Sequence, residues 1–83
     1  MNSKWALLKG SDIGPTGRGQ SGKQKVYEVT LEGEKVTCEW GMAEKTQRQR
    51  SVKVFSNSQA ARLFALDKVY AKVDRGYRIA YAV

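Results

Sequence analysis

Between Val26 and Trp40 the chain alternates apolar and polar residues on both sides of a central Gly33-Glu34 pair. That pattern leaves little choice but an antiparallel hairpin. With Gly33-Glu34 as a two-residue turn, glycine supplies the positive φ that a type II′ turn requires. Leu31 then faces Val36, Val29 faces Cys38 and Tyr27 faces Trp40, and all three pairs fall on one side because alternate residues share a face. Glu32 faces Lys35, a favourable pairing, whereas Glu28 faces Glu39 and the two carboxylates repel. A one-residue slip would break the apolar stripe, so this register is strongly preferred.

The flanking segments extend the sheet. Lys4-Trp5-Ala6-Leu7-Leu8 reads as a short strand. From Gly10 to Gln24 most of the glycines and the single proline occur without hydrophobic period, the composition of a flexible loop. A third strand of the core sheet is expected from Arg48 to Phe55. Ser56-Asn57-Ser58-Gln59 fits a capping box with Ser56 as the cap, opening a helix that runs to about Arg75 and stops at Gly76. Leu63, Leu66, Tyr70 and Val73 recur at helical spacing, widened by Ala60 and Phe64, and this is the stripe expected to pack on the sheet. Tyr77 to Tyr81 alternates again as a last strand. The expected fold is α+β, an antiparallel sheet of four to five strands packed against one α-helix, in a single domain over residues 1–83.

Several chemistries are excluded by composition. Cys38 is the only cysteine and histidine is absent, which removes an intramolecular disulfide, a Cys/His zinc site and histidine-based catalysis. Ser21, Ser51, Ser56 and Ser58 therefore have no imidazole to activate them, and Cys38 on the apolar side of the hairpin is an inert core thiol. Glu28 and Glu39 lie on the polar side and read as a solvated pair. Gly17-Arg18-Gly19-Gln20-Ser21-Gly22-Lys23 matches two phosphate-loop patterns by letter. Both require a helix to open directly afterwards, and here a strand follows, with Gln24 where a magnesium-binding Ser or Thr belongs. No catalytic residue, metal ligand, cofactor or small-molecule substrate is expected. No apolar run approaches the ~20 residues of a membrane span, and the expected location is the cytoplasm, with nucleoid association if the source is bacterial.

Charge is distributed unevenly. Residues 1–44 carry six basic and six acidic side chains, residues 45–83 nine basic and two acidic, so the whole net charge of +7 lies in the second part. Such polarity points to a polyanionic partner. The candidate contacts are Lys45, Arg48, Arg50 and Lys53, a cationic run without an interrupting acid, and Lys68, Lys72 and Arg75 on one helix face. Guanidinium groups suit paired hydrogen bonds to phosphate. Trp40-Gly41 ends the hairpin beside this run, and the indole offers a surface for stacking on a sugar or an unpaired base.

In their order and spacing, the strand Val26–Glu32, Glu39-Trp40-Gly41, Lys53-Val54-Phe55-Ser56, the helix with Ala60 and Phe64, and Lys72–Tyr77 together resemble a WGR domain. This is the small module of poly(ADP-ribose) polymerases and of many bacterial proteins. The resemblance covers Val26 to about Ile79 and implies an antiparallel sheet with one helix. It also implies DNA binding, which in the polymerases grips the end of a broken strand, together with contacts to neighbouring domains. Trp40 and Gly41 stand at the positions of the family's tryptophan and glycine, the tryptophan being the one that packs on the terminal sugar. Met42 replaces the family's arginine, and Glu44 replaces a glycine two places on. The expected function is a non-catalytic DNA-binding module contacting the phosphate backbone or strand ends, with RNA as a further ligand. The alternative, favoured by Met42, is a protein–protein adaptor.

Overall fold

The computed structural model describes residues 2–10, 24–42 and 47–83. Five strands and one helix follow one another as β1 (Asn2–Lys9), β2 (Lys25–Glu32), β3 (Lys35–Met42), β4 (Gln49–Val54), α1 (Ser58–Asp74) and β5 (Arg78–Ala82). The strands form one antiparallel sheet in the order β4-β3-β2-β1-β5, giving an α+β fold. The hairpin takes the register set by its apolar stripe, with Leu31 opposite Val36, Val29 opposite Cys38 and Tyr27 opposite Trp40. Gly33 adopts a φ of 61° at the turn, where a side chain would be strained.

The helix leaves one edge strand, crosses a single face of the sheet and delivers the chain to the other edge. Its 17 residues span about 25 Å. That suffices to cross five strands spaced about 4.8 Å apart. Beneath it lies the core of Leu7, Tyr27, Val29, Leu31, Val36 and Cys38, joined by Ala61, Ala65 and Val69 from the helix.

Two sequence expectations about the helix are corrected. The cap is Asn57 rather than Ser56. Its backbone is extended (φ −154°, ψ 164°) and its side-chain oxygen accepts from the Ala60 amide at 2.8 Å. With the cap one residue later, Gln59 no longer stands three places beyond it and the capping box does not form. The buried stripe is Ala61, Ala65 and Val69, while Leu63 and Tyr70 are 61% and 64% exposed and Val73 is also exposed. Small residues at i, i+4 and i+8 let the helix backbone lie close to the sheet. Of the expected stripe, Leu63, Tyr70 and Val73 turn outward, whereas Ala60, Phe64 and Leu66 stay half-buried, Phe64 against the core.

At its C-terminus the helix closes with two characteristic bonds. The Tyr77 amide donates to the Lys72 carbonyl and the Gly76 amide to that of Val73, both at 3.0 Å. This is a Schellman motif, with Gly76 at φ 100° as the left-handed residue that the sequence marks as the helix stop.

Candidate nucleic-acid interface

The Schellman motif fixes Tyr77 directly beside Lys72, and the cross-strand register fixes Tyr27 beside Trp40. These pairs meet on the helix-covered side of the sheet. Tyr27 and Trp40 stack with centroids 5.8 Å apart and planes at 18°, and Tyr77 meets Tyr27 edge-on at 6.2 Å. Above them opens a cavity of ≈ 530 Å³, lined by these three rings with Gly41 and Met42, and by Lys25, Lys68 and Lys72. Lys68 and Lys72 come from successive turns of α1, Lys25 from the start of β2. No acidic side chain is among the described lining residues.

Lys9, Lys53, Lys68 and Lys72 lie over aromatic rings rather than against carboxylates. The Lys72 ammonium is 4.6 Å from the centroid of Tyr27 and 5.9 Å from that of Tyr77, which also receives Lys9 at 5.8 Å. Lys53 and Lys68 approach the Phe64 ring at 5.2 and 5.3 Å. Rings attract cations through their quadrupole but leave the formal charge uncompensated. Burial, followed by repulsion from Arg75 and Lys68, lowers the pKa of Lys72 below the usual lysine value. Tyr27 is shifted upward, first by burial and then by the Cys38 thiol beside it.

The helix-free face is organised differently. Glu28 and Glu39 are opposite one another there, and their repulsion is relieved by cations reaching across from the neighbouring strands. Arg50 donates to Glu39 at 2.9 Å, while Glu28 receives Arg48 at 3.4 Å and Lys4 at 3.7 Å. Lys35 pairs with Glu32 at 3.5 Å. Among the described residues, every ion pair involves one of these four cations, and Lys9, Lys25, Lys53, Lys68 and Lys72 have none.

The structure thus divides the expected contact residues. Trp40, Gly41, Lys68 and Lys72 line one cavity, and Lys53, outside it, shares the Phe64 ring with Lys68. Arg48 and Arg50 lie with their glutamate partners on the opposite face of the sheet. Arg75 is exposed at the helix C-cap and Lys45 lies outside the described residues, as do Glu44 and the Gly17–Lys23 segment. Sequence reasoning omitted Lys9, Lys25, Tyr27 and Tyr77. The hairpin register held the signal for Tyr27 and Lys25, since it places both at the strand end that carries Trp40.

A second cavity of ≈ 470 Å³ adjoins the first, sharing Trp40, Gly41 and Met42 and bounded otherwise by Gln47, Arg48 and Gln49. Gly41 lies against Arg48 and Gln47, and a Cβ there would stand in ordinary contact, 3.4 Å from the Arg48 Cγ and the Gln47 carbonyl oxygen. Among the described residues, no group of three or more His, Cys, Asp or Glu side chains is placed to hold a metal ion, and no helix is long and apolar enough to cross a membrane.

Fold and site together define an α+β domain with an aromatic, lysine-rimmed cavity at one end of its sheet. No family model, no curated protein and no solved structure matches this chain.

Proposed function

We propose that this protein is a non-catalytic DNA-binding module that contacts phosphates through Lys25, Lys68 and Lys72, with Trp40 as its stacking surface. One observation carries the reading: the segregation of cations. Lys4, Arg48 and Arg50 on the helix-free face are paired with glutamates, whereas Lys25, Lys68 and Lys72 around Trp40 have no acidic partner among the described residues. Gathering uncompensated lysines, one of them partly desolvated, costs folding free energy, and an external polyanion offsets that cost on binding. Lysine and aromatic side chains in one groove are also the two components that nucleic-acid binding needs, charge for the backbone and a π-surface for sugar or base. The resemblance to WGR domains points to the same ligand, and the architecture it implies, an antiparallel sheet with one helix, is the one this chain has.

The test is a titration of labelled nicked, blunt and single-stranded DNA at several salt concentrations. Binding that weakens steeply as salt rises is expected, because each neutralised phosphate releases counterion. Undetectable or salt-independent binding at low salt refutes the proposal.

A second reading, a protein–protein adaptor, is favoured by a separate observation. The outward stripe of Leu63, Tyr70 and Val73 on α1 is exposed apolar surface that the sheet does not use. It stands apart from the lysine cavity, so substituting Leu63 and Tyr70 by charged residues distinguishes the two: DNA binding survives if the first reading holds.

A further inference from the structure

The two cavities that meet at Trp40 differ in chemistry, and the difference bears on which form of DNA the site accepts. In the cross-strand row Trp40 stands between Tyr27 on β2 and Gln49 on β4. Tyr27 stacks against the indole from one side. Towards β4, the indole borders the second cavity, where Gln47 and Gln49 contribute amides and where Arg48 is already committed to Glu28. The first cavity offers ammonium groups and the second a π-face with neutral hydrogen-bonding groups.

Resting on the DNA-binding reading, we propose that the ligand is single-stranded DNA. One unpaired base lies on the β4-facing side of Trp40 and extends the Tyr27–Trp40 stack, while the adjoining phosphate enters the lysine cavity. The volume of ≈ 470 Å³ lies within the roughly 300–1,000 Å³ of ordinary small-ligand sites. Each glutamine carries both a donor and an acceptor, so Gln47 and Gln49 satisfy the edge of any base and impose little sequence preference. Gly41 separates the two cavities without a side chain, and the strand crosses there from the indole to the lysines. Duplex DNA cannot use this arrangement along its length. Its base faces are hidden by their neighbours, and Trp40, half-buried in a concave site, does not protrude into a groove to reach them.

The test compares three labelled ligands of equal phosphate number by fluorescence anisotropy in ~0.1 M salt. They are a mixed-sequence single strand, the same strand with every base replaced by an abasic residue, and a covalently closed duplex without ends. The base-bearing strand is expected to bind roughly 10-fold or more tightly than either of the others, the worth of one base on an aromatic ring. Trp40→Ala should abolish that preference and Gln49→Ala should reduce it. If Trp40→Ala does not fold, the abasic comparison decides alone, since it needs no variant. Equal affinity for all three ligands overturns the stacking proposal and leaves phosphate binding standing. Binding to none of them overturns both.

Discussion

Replacing Lys72 by alanine and, separately, Arg50 by alanine removes one positive charge from the same domain in each case. The two substitutions should nevertheless have different effects. Lys25, Lys68 and Lys72 line the cavity, and if each neutralises one phosphate of a single strand, the logarithm of affinity falls with the logarithm of salt with a slope of about −2.1. Raising salt from about 50 to 200 mM then weakens binding about 18-fold. Lys72→Ala leaves two contacts and a slope near −1.4, so the same change in salt weakens binding only about 7-fold, and affinity at 50 mM falls about 8-fold. Alanine is a strong helix former, so α1 tolerates it. Arg50 is 2.9 Å from Glu39 on the other face of the sheet. At physiological salt the field of that pair is screened over about 8 Å, and the slope should change by less than about 0.2. Anisotropy titrations of both variants at four salt concentrations provide the measurement. If Arg50→Ala flattens the slope as much as Lys72→Ala does, the cavity is not where phosphates bind, and the reasoning fails.

Other perturbations test other steps. Gly76→Ala places a side chain at φ 100°, its Cβ 3.4 Å from Lys9 Cε, and should cost about 1–2 kcal/mol in urea unfolding. Ala65→Leu should destabilise by about 1–3 kcal/mol through overpacking against the sheet, whereas Leu63→Lys should stay within about 0.5 kcal/mol; the reverse order would contradict the rotation of the helix. Burial raises the Tyr27 pKa above its unfolded value, so the native state retains its proton and the stability this gives is lost as pH rises above that unfolded value, about 10. Tyr27→Phe should therefore flatten the alkaline arm of the stability–pH profile, as read by thermal melts between pH 8 and 11. Met42→Arg adds a cation to the cavity wall and should tighten DNA binding and steepen the salt slope by about 0.7.

The hairpin was legible residue by residue, because period-two alternation permits only one register that buries Val29, Leu31, Val36 and Cys38 together. The helix stop was equally legible, since a glycine in the left-handed region leaves few alternatives. The buried face of the helix was not. Periodicity favours large apolar residues, and on α1 those recur at Leu63, Leu66, Tyr70 and Val73, while the fully buried residues are two alanines and a valine. Their small size signals close packing only once a partner surface is known.

The contact residues divided for a related reason. No acid interrupts the run that holds Arg48 and Arg50, yet the carboxylates that neutralise them lie on the hairpin strands. The register already contained this outcome. Two glutamates opposed across a hairpin need cations, and the next strand outward supplied them at alternate positions on the same face. Lys9, Lys53, Lys68 and Lys72 meet Tyr27, Phe64 and Tyr77 instead and keep their charge uncompensated. Uncompensated charge, rather than the number of cations in a run, is what a polyanion recognises. A run of arginines should accordingly be weighed only after the acids on neighbouring strands have been placed, which moves the expected phosphate contacts of this chain from β4 to the cavity beneath α1.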